Sequence, residues 1–186
     1  MKIDIRLKDF LKAPNLISLL RIVFLIPFMY FFYKEAFYET LTFIILIILT
    51  DFFDGFISRR FNLITELGKI IDPLADKIAL GIGLFVIFQK ADISLLIVYF
   101  LITRDVFIIV LGLILSNKNN SIPPSNIWGK LTSFFLSLLG LFGFIKCFYK
   151  YVYLDILLQV LWWTSLLFLI LSSLFYTIRF LQMSKK

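Results

Sequence analysis

Residues 37–58 read FYETLTFIILIILTDFFDGFIS, and residues 59–77 continue RRFNLITELGKIIDPLADK. The first stretch is an apolar run of about the length that crosses a bilayer as a helix, roughly 20 residues. It closes on two acids, Asp51 and Asp54. The second stretch is a short basic and polar break, after which a new apolar helix opens on two more acids, Asp72 and Asp76. Asp51 and Asp54 are spaced i,i+3 and share one helical face; Asp72 and Asp76 are spaced i,i+4 and do the same, with Gly68 one turn earlier. Two neighbouring helices joined by a short loop therefore bring two carboxylate pairs to one end of the protein.

The rest of the chain repeats the apolar theme. Of its 186 residues 61% are hydrophobic and 17% charged, with mean hydropathy +0.96; soluble domains are about 45–50% apolar and about 25% charged. Apolar runs at 16–33, 37–58, 67–89, 93–116, 127–149 and 153–177 predict six membrane-spanning helices. Six such spans use roughly 120 residues and leave no room for a water-soluble domain. Pro14-Asn15 opens the first run, with Asn15 or Ser18 available as a helix cap. In residues 1–12, Ile3, Leu7, Phe10 and Leu11 fall at helical spacing among Lys2, Arg6, Lys8 and Lys12. This predicts an interfacial amphipathic helix rather than a signal peptide. The expectation is an all-α membrane protein with one domain over 1–186: interfacial helix 1–14, six-helix bundle 15–177 and cytoplasmic tail 178–186.

Lys and Arg counting orients this bundle. With the N-terminus inside, the cytoplasmic side carries 12 of the 19 basic residues, the opposite side 4, and Arg21, Lys77 and Arg104 lie within spans. Both termini, and the acidic cluster with them, are expected at the cytoplasmic face of the inner membrane. The net charge of +7 in so apolar a chain points to anionic lipid or phosphate rather than nucleic acid.

Two absences limit the chemistry. The chain has no His, which excludes Ser-His-Asp triads and HExxH zinc sites. The single Cys147 can form neither an intramolecular disulfide nor a cysteine zinc cluster. Any proton must then be handled by carboxylates, Lys or Tyr. Charged groups inside a bilayer are costly unless paired, hydrated or ion-bound, so intramembrane acids are functional candidates. Four carboxylates facing one another cannot all stay ionised without cations between them. Oxygen-only ligands favour hard divalent ions, and Mg2+ binds through a few carboxylates plus substrate phosphates. The residues thus point to a two-metal, phosphate-handling site. Ion pairs with Arg59, Arg60, Lys69 and Lys77 are the structural alternative for any one of these acids.

The intervening residues make the pattern specific. Asp51-Phe52-Phe53-Asp54-Gly55-Phe56-Ile57-Ser58-Arg59 is followed by eight residues to Gly68, three to Asp72 and three to Asp76. This resembles the signature of the CDP-alcohol phosphatidyltransferase family, D-x2-D-G-x2-A-R-x8-G-x3-D-x3-D, at seven of its eight fixed positions, with Ser58 in place of Ala. Gly55 and Gly68 let a base or diphosphate approach the backbone, Arg59 offers a fork of donors for phosphate oxygens, and Pro73 can open the helix beside Asp72.

The resemblance implies a homodimeric membrane enzyme that transfers the phosphatidyl group of CDP-diacylglycerol to a hydroxyl acceptor and releases CMP. It implies Asp51, Asp54, Asp72 and Asp76 as ligands of two Mg2+ or Mn2+ ions per active site, with Asp76 also the general base. It further implies Asp51, Gly55, Ser58, Arg59 and Gly68 as the CDP-binding residues.

Residues 14–21, PNLISLLR, resemble the opening of phosphatidylglycerophosphate synthases and of eukaryotic-type cardiolipin synthases. Arg21, Arg104 and Lys130 are basic groups able to bind an anionic acceptor; pairing with Asp105 is the structural alternative for Arg104, and headgroup anchoring for Lys130. Asp105 in place of the Glu usual in the glycerophosphate enzymes, and apolar Leu111 and Leu113 where those enzymes carry a further Arg, lean toward cardiolipin-type chemistry with phosphatidylglycerol. Chain length and the opening motif lean toward glycerol 3-phosphate, which is placed slightly ahead. A cation-coupled transporter would also use intramembrane acids, but it predicts acids at the bilayer midplane and repeated halves, and the chain shows neither pattern.

Overall fold

The computed structural model describes residues 12–60, 68–119, 127–149 and 151–184. Among these residues there are six α-helices and no strand: α1 (Ala13–Tyr33), α2 (Phe37–Arg60), α3 (Gly68–Lys90), α4 (Leu96–Asn119), α5 (Ile127–Phe148) and α6 (Val152–Ser184). Residues 1–11, most of the expected interfacial helix, and the loops 61–67 and 120–126 lie outside the described residues.

The helix bounds track the apolar runs, with departures at the start of α1, at both ends of α4, which lies three residues further on than expected, and at the end of α6. α1 begins at Ala13 with Pro14 in its first turn, and Lys12 is its N-cap, extended at φ −69° and ψ 140° and without a side-chain cap. Proline suits that turn because its missing N–H would have no intrahelical partner there. Asn15 and Ser18, expected as caps, are consequently inside the helix and buried. At the other end, α6 continues to Ser184, so most of the expected tail is helical.

Among the described residues, four helices are long and apolar enough to cross a membrane, over Asn15–Tyr33, Phe37–Ile57, Ile127–Phe148 and Val152–Gln182. Their exposed side chains fit that role. Ile45, Ile48, Phe52 and Phe53 of α2, and Val160, Trp163, Leu167 and Leu174 of α6, are all exposed, an apolar surface that lipid rather than water would cover. The backbone polar groups of such segments are satisfied within the helix, as hydrocarbon requires.

The chain divides within α3 into two compact units, Met1–Val86 and Ile87–Lys186. In the first, α1 packs along α2. Its buried face follows i+3/i+4 spacing through Asn15, Ser18, Arg21, Leu25, Phe28 and Phe32, so one stripe is polar at its start and apolar beyond. Phe31 stacks on Phe43 with centroids 5.6 Å apart. A tight turn joins the two helices, with Glu35 at φ 59°.

In the second unit α6 packs against both α4 and α5. Trp128 and Phe135 of α5 stack on Phe168 of α6, with centroids 6.1 and 5.0 Å away. Gly143 sits in close packing: a Cβ there would lie 3.1 Å from both Ile87 Cγ2 and Ile93 Cδ1. Trp162 donates its indole N–H to the Ser94 carbonyl at 3.2 Å, whereas Trp163 is exposed and meets Trp162 edge-on.

Candidate active site

In the first unit the acids of α2 and α3 meet the polar start of the α1 stripe. Arg21, 2% exposed, directs Nη2 to Asp54 Oδ2 at 2.6 Å and to Asp51 Oδ1 at 3.1 Å. Its Nη1 pairs with Asp76. The buried Ser18 hydroxyl donates to Asp72 Oδ1 at 2.6 Å and also reaches Asp54 Oδ2 at 3.2 Å. One turn of α1 thus gathers all four aspartates, two from α2 and two from α3. The acids differ in access to water: Asp54 is buried and Asp72 half-buried, while Asp51 and Asp76 are exposed, at 62% and 51% of their side chains.

This arrangement fits a hard divalent ion by donor chemistry. Every candidate ligand is an oxygen, from four carboxylates with a hydroxyl beside them, and no nitrogen or thiolate ligand competes. Among the described residues no three acidic side chains stand around a single point at ligand spacing; the cation they share is the Arg21 guanidinium. Arg21, expected from the sequence to face an acceptor, is therefore engaged with three carboxylates. Gly55 follows Asp54 on α2 and is half-buried. Ser58 and Arg59 lie in the last turns of α2, and Gly68 opens α3; their side-chain surroundings lie outside the described residues.

The second unit holds a separate polar cluster. Arg104 on α4 donates through Nη1 to Asp105 Oδ1 at 2.7 Å and through Nη2 to Ser172 Oγ on α6 at 2.6 Å. Its guanidinium carbon lies 5.3 Å from the centre of the Tyr176 ring, within cation–π range. The Arg104–Asp105 pairing raised as a structural alternative is thus present, but it is one contact among several. Lys130, on α5 next to Gly129, is exposed.

Ser18, Ser172, Tyr176 and Gly129 were not singled out by sequence reasoning as parts of either cluster. For Ser18 a signal existed: Asn15, Ser18 and Arg21 extend the buried spacing of Leu25, Phe28 and Phe32, a polar continuation of an apolar stripe. For Ser172, a serine in an apolar run, no sequence signal indicates the partner on α4.

A family model described as CDP-alcohol phosphatidyltransferase matches residues 11–171. The chain belongs to the CDP-alcohol phosphatidyltransferase family, whose members generally depend on divalent metal ions. Among its relatives is the CDP-diacylglycerol--glycerol-3-phosphate 3-phosphatidyltransferase of Aquifex aeolicus, 35% identical over 175 residues that cover 93% of this chain and 98% of that protein. A protein of the same name from Rickettsia bellii is 27% identical over 179 residues, 95% of this chain and 96% of its own length. One from Wigglesworthia glossinidia brevipalpis is 41% identical over 83 residues, 42% of this chain.

Proposed function

We propose that this protein transfers the phosphatidyl group of CDP-diacylglycerol to glycerol 3-phosphate, forming phosphatidylglycerophosphate and releasing CMP. The observation that carries the reading is the gathering of Asp51, Asp54, Asp72 and Asp76 by Arg21 and Ser18, at the full spacing of the family signature. The acceptor follows from the relatives, which are named for glycerol 3-phosphate over nearly the whole of this chain.

Asp51, Asp54, Asp72 and Asp76 would hold two divalent ions, Mg2+ or Mn2+. Bound there, such ions neutralise the diphosphate and stabilise the departing CMP. Asp76, half-exposed and thus open to a hydroxyl, accepts the acceptor's proton. The freed oxygen bonds to the lipid-linked phosphorus in line, and the bond from that phosphorus to CMP breaks with its electron pair leaving on CMP. Asp51, Gly55, Ser58, Arg59 and Gly68 hold the CDP moiety, the glycines by admitting it close to the backbone. Arg21 orients the acids from behind. Arg104 and Lys130 bind the phosphate of the acceptor, for which a guanidinium fork and an ammonium are suited donors.

The protein acts as one domain with six spans and an interfacial N-terminal helix, as a homodimer in the inner membrane. Both termini and the acids face the cytoplasm, because the basic residues concentrate on that side. The test is CMP release from CDP-diacylglycerol by purified protein, with and without Mg2+, in parallel arms with glycerol 3-phosphate and with phosphatidylglycerol. Metal-dependent release that requires glycerol 3-phosphate is expected. Release with phosphatidylglycerol alone would reassign the acceptor, and release in neither arm would overturn the reading.

A further inference from the structure

Three helices of the second unit converge on the Arg104 side chain, and each contributes something different. From α4, Asp105 pairs with Nη1 at 2.7 Å. From α6, the Ser172 hydroxyl, fully buried, takes Nη2 at 2.6 Å, and Tyr176 lies under the guanidinium. From α5, Gly129 contributes space: a Cβ there would stand 3.3 Å from Arg104 Nη2 and 3.6 Å from Ser172 Oγ. Arg104 Nε is buried and, among the described residues, has no partner.

These contacts do not all serve the same purpose. Asp105 alone suffices to pair the charge of Arg104. Ser172 adds no charge, so it leaves the guanidinium attractive to an anion while restricting where Nη2 points. Gly129 acts on the same nitrogen by leaving room for it, and the next residue in the chain is Lys130, exposed on the same helix. An arginine side chain has several free torsions and recognises phosphate through a planar fork, so fixing the plane matters more for it than for a lysine.

We infer that Ser172 and Gly129 are positioning residues that hold the Arg104 guanidinium in the orientation that binds the phosphate of a small phosphorylated alcohol. The inference rests on Arg104 being an acceptor contact, as proposed above. Neither residue touches the acceptor; both act through Arg104.

The experiment is steady-state kinetics of the purified full-length protein in CDP-diacylglycerol mixed micelles, varying glycerol 3-phosphate and CDP-diacylglycerol separately, alongside thermal unfolding. Ser172→Ala should raise the KM for glycerol 3-phosphate about tenfold, the scale of a lost hydrogen bond to a charged group. Its KM for CDP-diacylglycerol should stay within about twofold, as should kcat. Ser172→Thr keeps the hydroxyl and should restore the KM to within about twofold of the parent. Gly129→Ala should raise the same KM about threefold without lowering the unfolding midpoint, since alanine favours a helix over glycine. Arg104→Gln is the reference, with an expected rise of about a hundredfold. If Arg104→Gln raises this KM while Ser172→Ala and Gly129→Ala do not, the positioning role is wrong and the acceptor contact stands. If Arg104→Gln leaves it unchanged, the acceptor contact itself is wrong. If Ser172→Ala raises both KM values together and lowers the midpoint, its role is only structural and the inference falls.

Discussion

Arg21 and Arg104, each on a helix of a different unit, are held in different ways. Arg21, at 2% exposure, touches three carboxylates, Asp51, Asp54 and Asp76, with Ser18 tying in Asp72. Arg104, at 15%, touches one carboxylate, a neutral hydroxyl and an aromatic face. Among the described residues Arg21 meets three carboxylates, a donor set that suits additional cations. Arg104 meets a single carboxylate among the described residues, which leaves its guanidinium more open to an anion; a buried Nε without a hydrogen-bond partner there is common to both arginines. The same side chain thus serves as an internal counter-ion in one unit and as a held fork in the other, and the difference lies in the neighbours.

The sharpest way to break this contrast is Asp76→Asn. It should lower turnover by at least about a thousandfold if Asp76 takes the acceptor's proton, while equilibrium binding of CDP-diacylglycerol changes little; near-normal turnover would remove the base assignment. Arg21→Gln tests the counter-ion role. Removing one partner of a buried ion pair costs about 3–5 kcal/mol, and the low end is expected here because Asp51 and Asp76 are half or more exposed and keep their water. Thermal unfolding in detergent should show that loss in EDTA and a smaller one in Mg2+, since a bound ion would take over the compensation. Arg104→Lys keeps the charge but not the fork, and should raise the KM for glycerol 3-phosphate about tenfold with little change in unfolding midpoint. The smallest effect is expected at Gly143→Ala. Crowding Ile87 and Ile93 at 3.1 Å should cost about 1 kcal/mol of stability and leave both KM values unchanged.

Much of the architecture was legible from residue order because bilayer-length apolar runs and their polar breaks are local signals. The runs at 37–58 and 127–149 coincide with α2 and α5 to within two residues. The apolar stretch around α6 did not announce its end, since helix continues through 178–184 into residues of mixed polarity that helices tolerate. Asn15 and Ser18 looked like caps because short polar residues before an apolar run usually are. The helix starts before them, at Ala13, and both residues lie inside it on the buried face.

Spacing alone put Asp51 with Asp54 and Asp72 with Asp76, since helical period is a property of the backbone, and it also carried the family signature. That Arg21 pairs with those acids depends on where α1 is docked, a relation between segments 30 or more residues apart. The Ser172 contact with Arg104 spans 68 positions, and the room for it comes from the side chain that Gly129 lacks. Periodicity decides which residues share a face; only tertiary packing decides what that face meets, because contacts between helices depend on where each is docked and not on its own repeat.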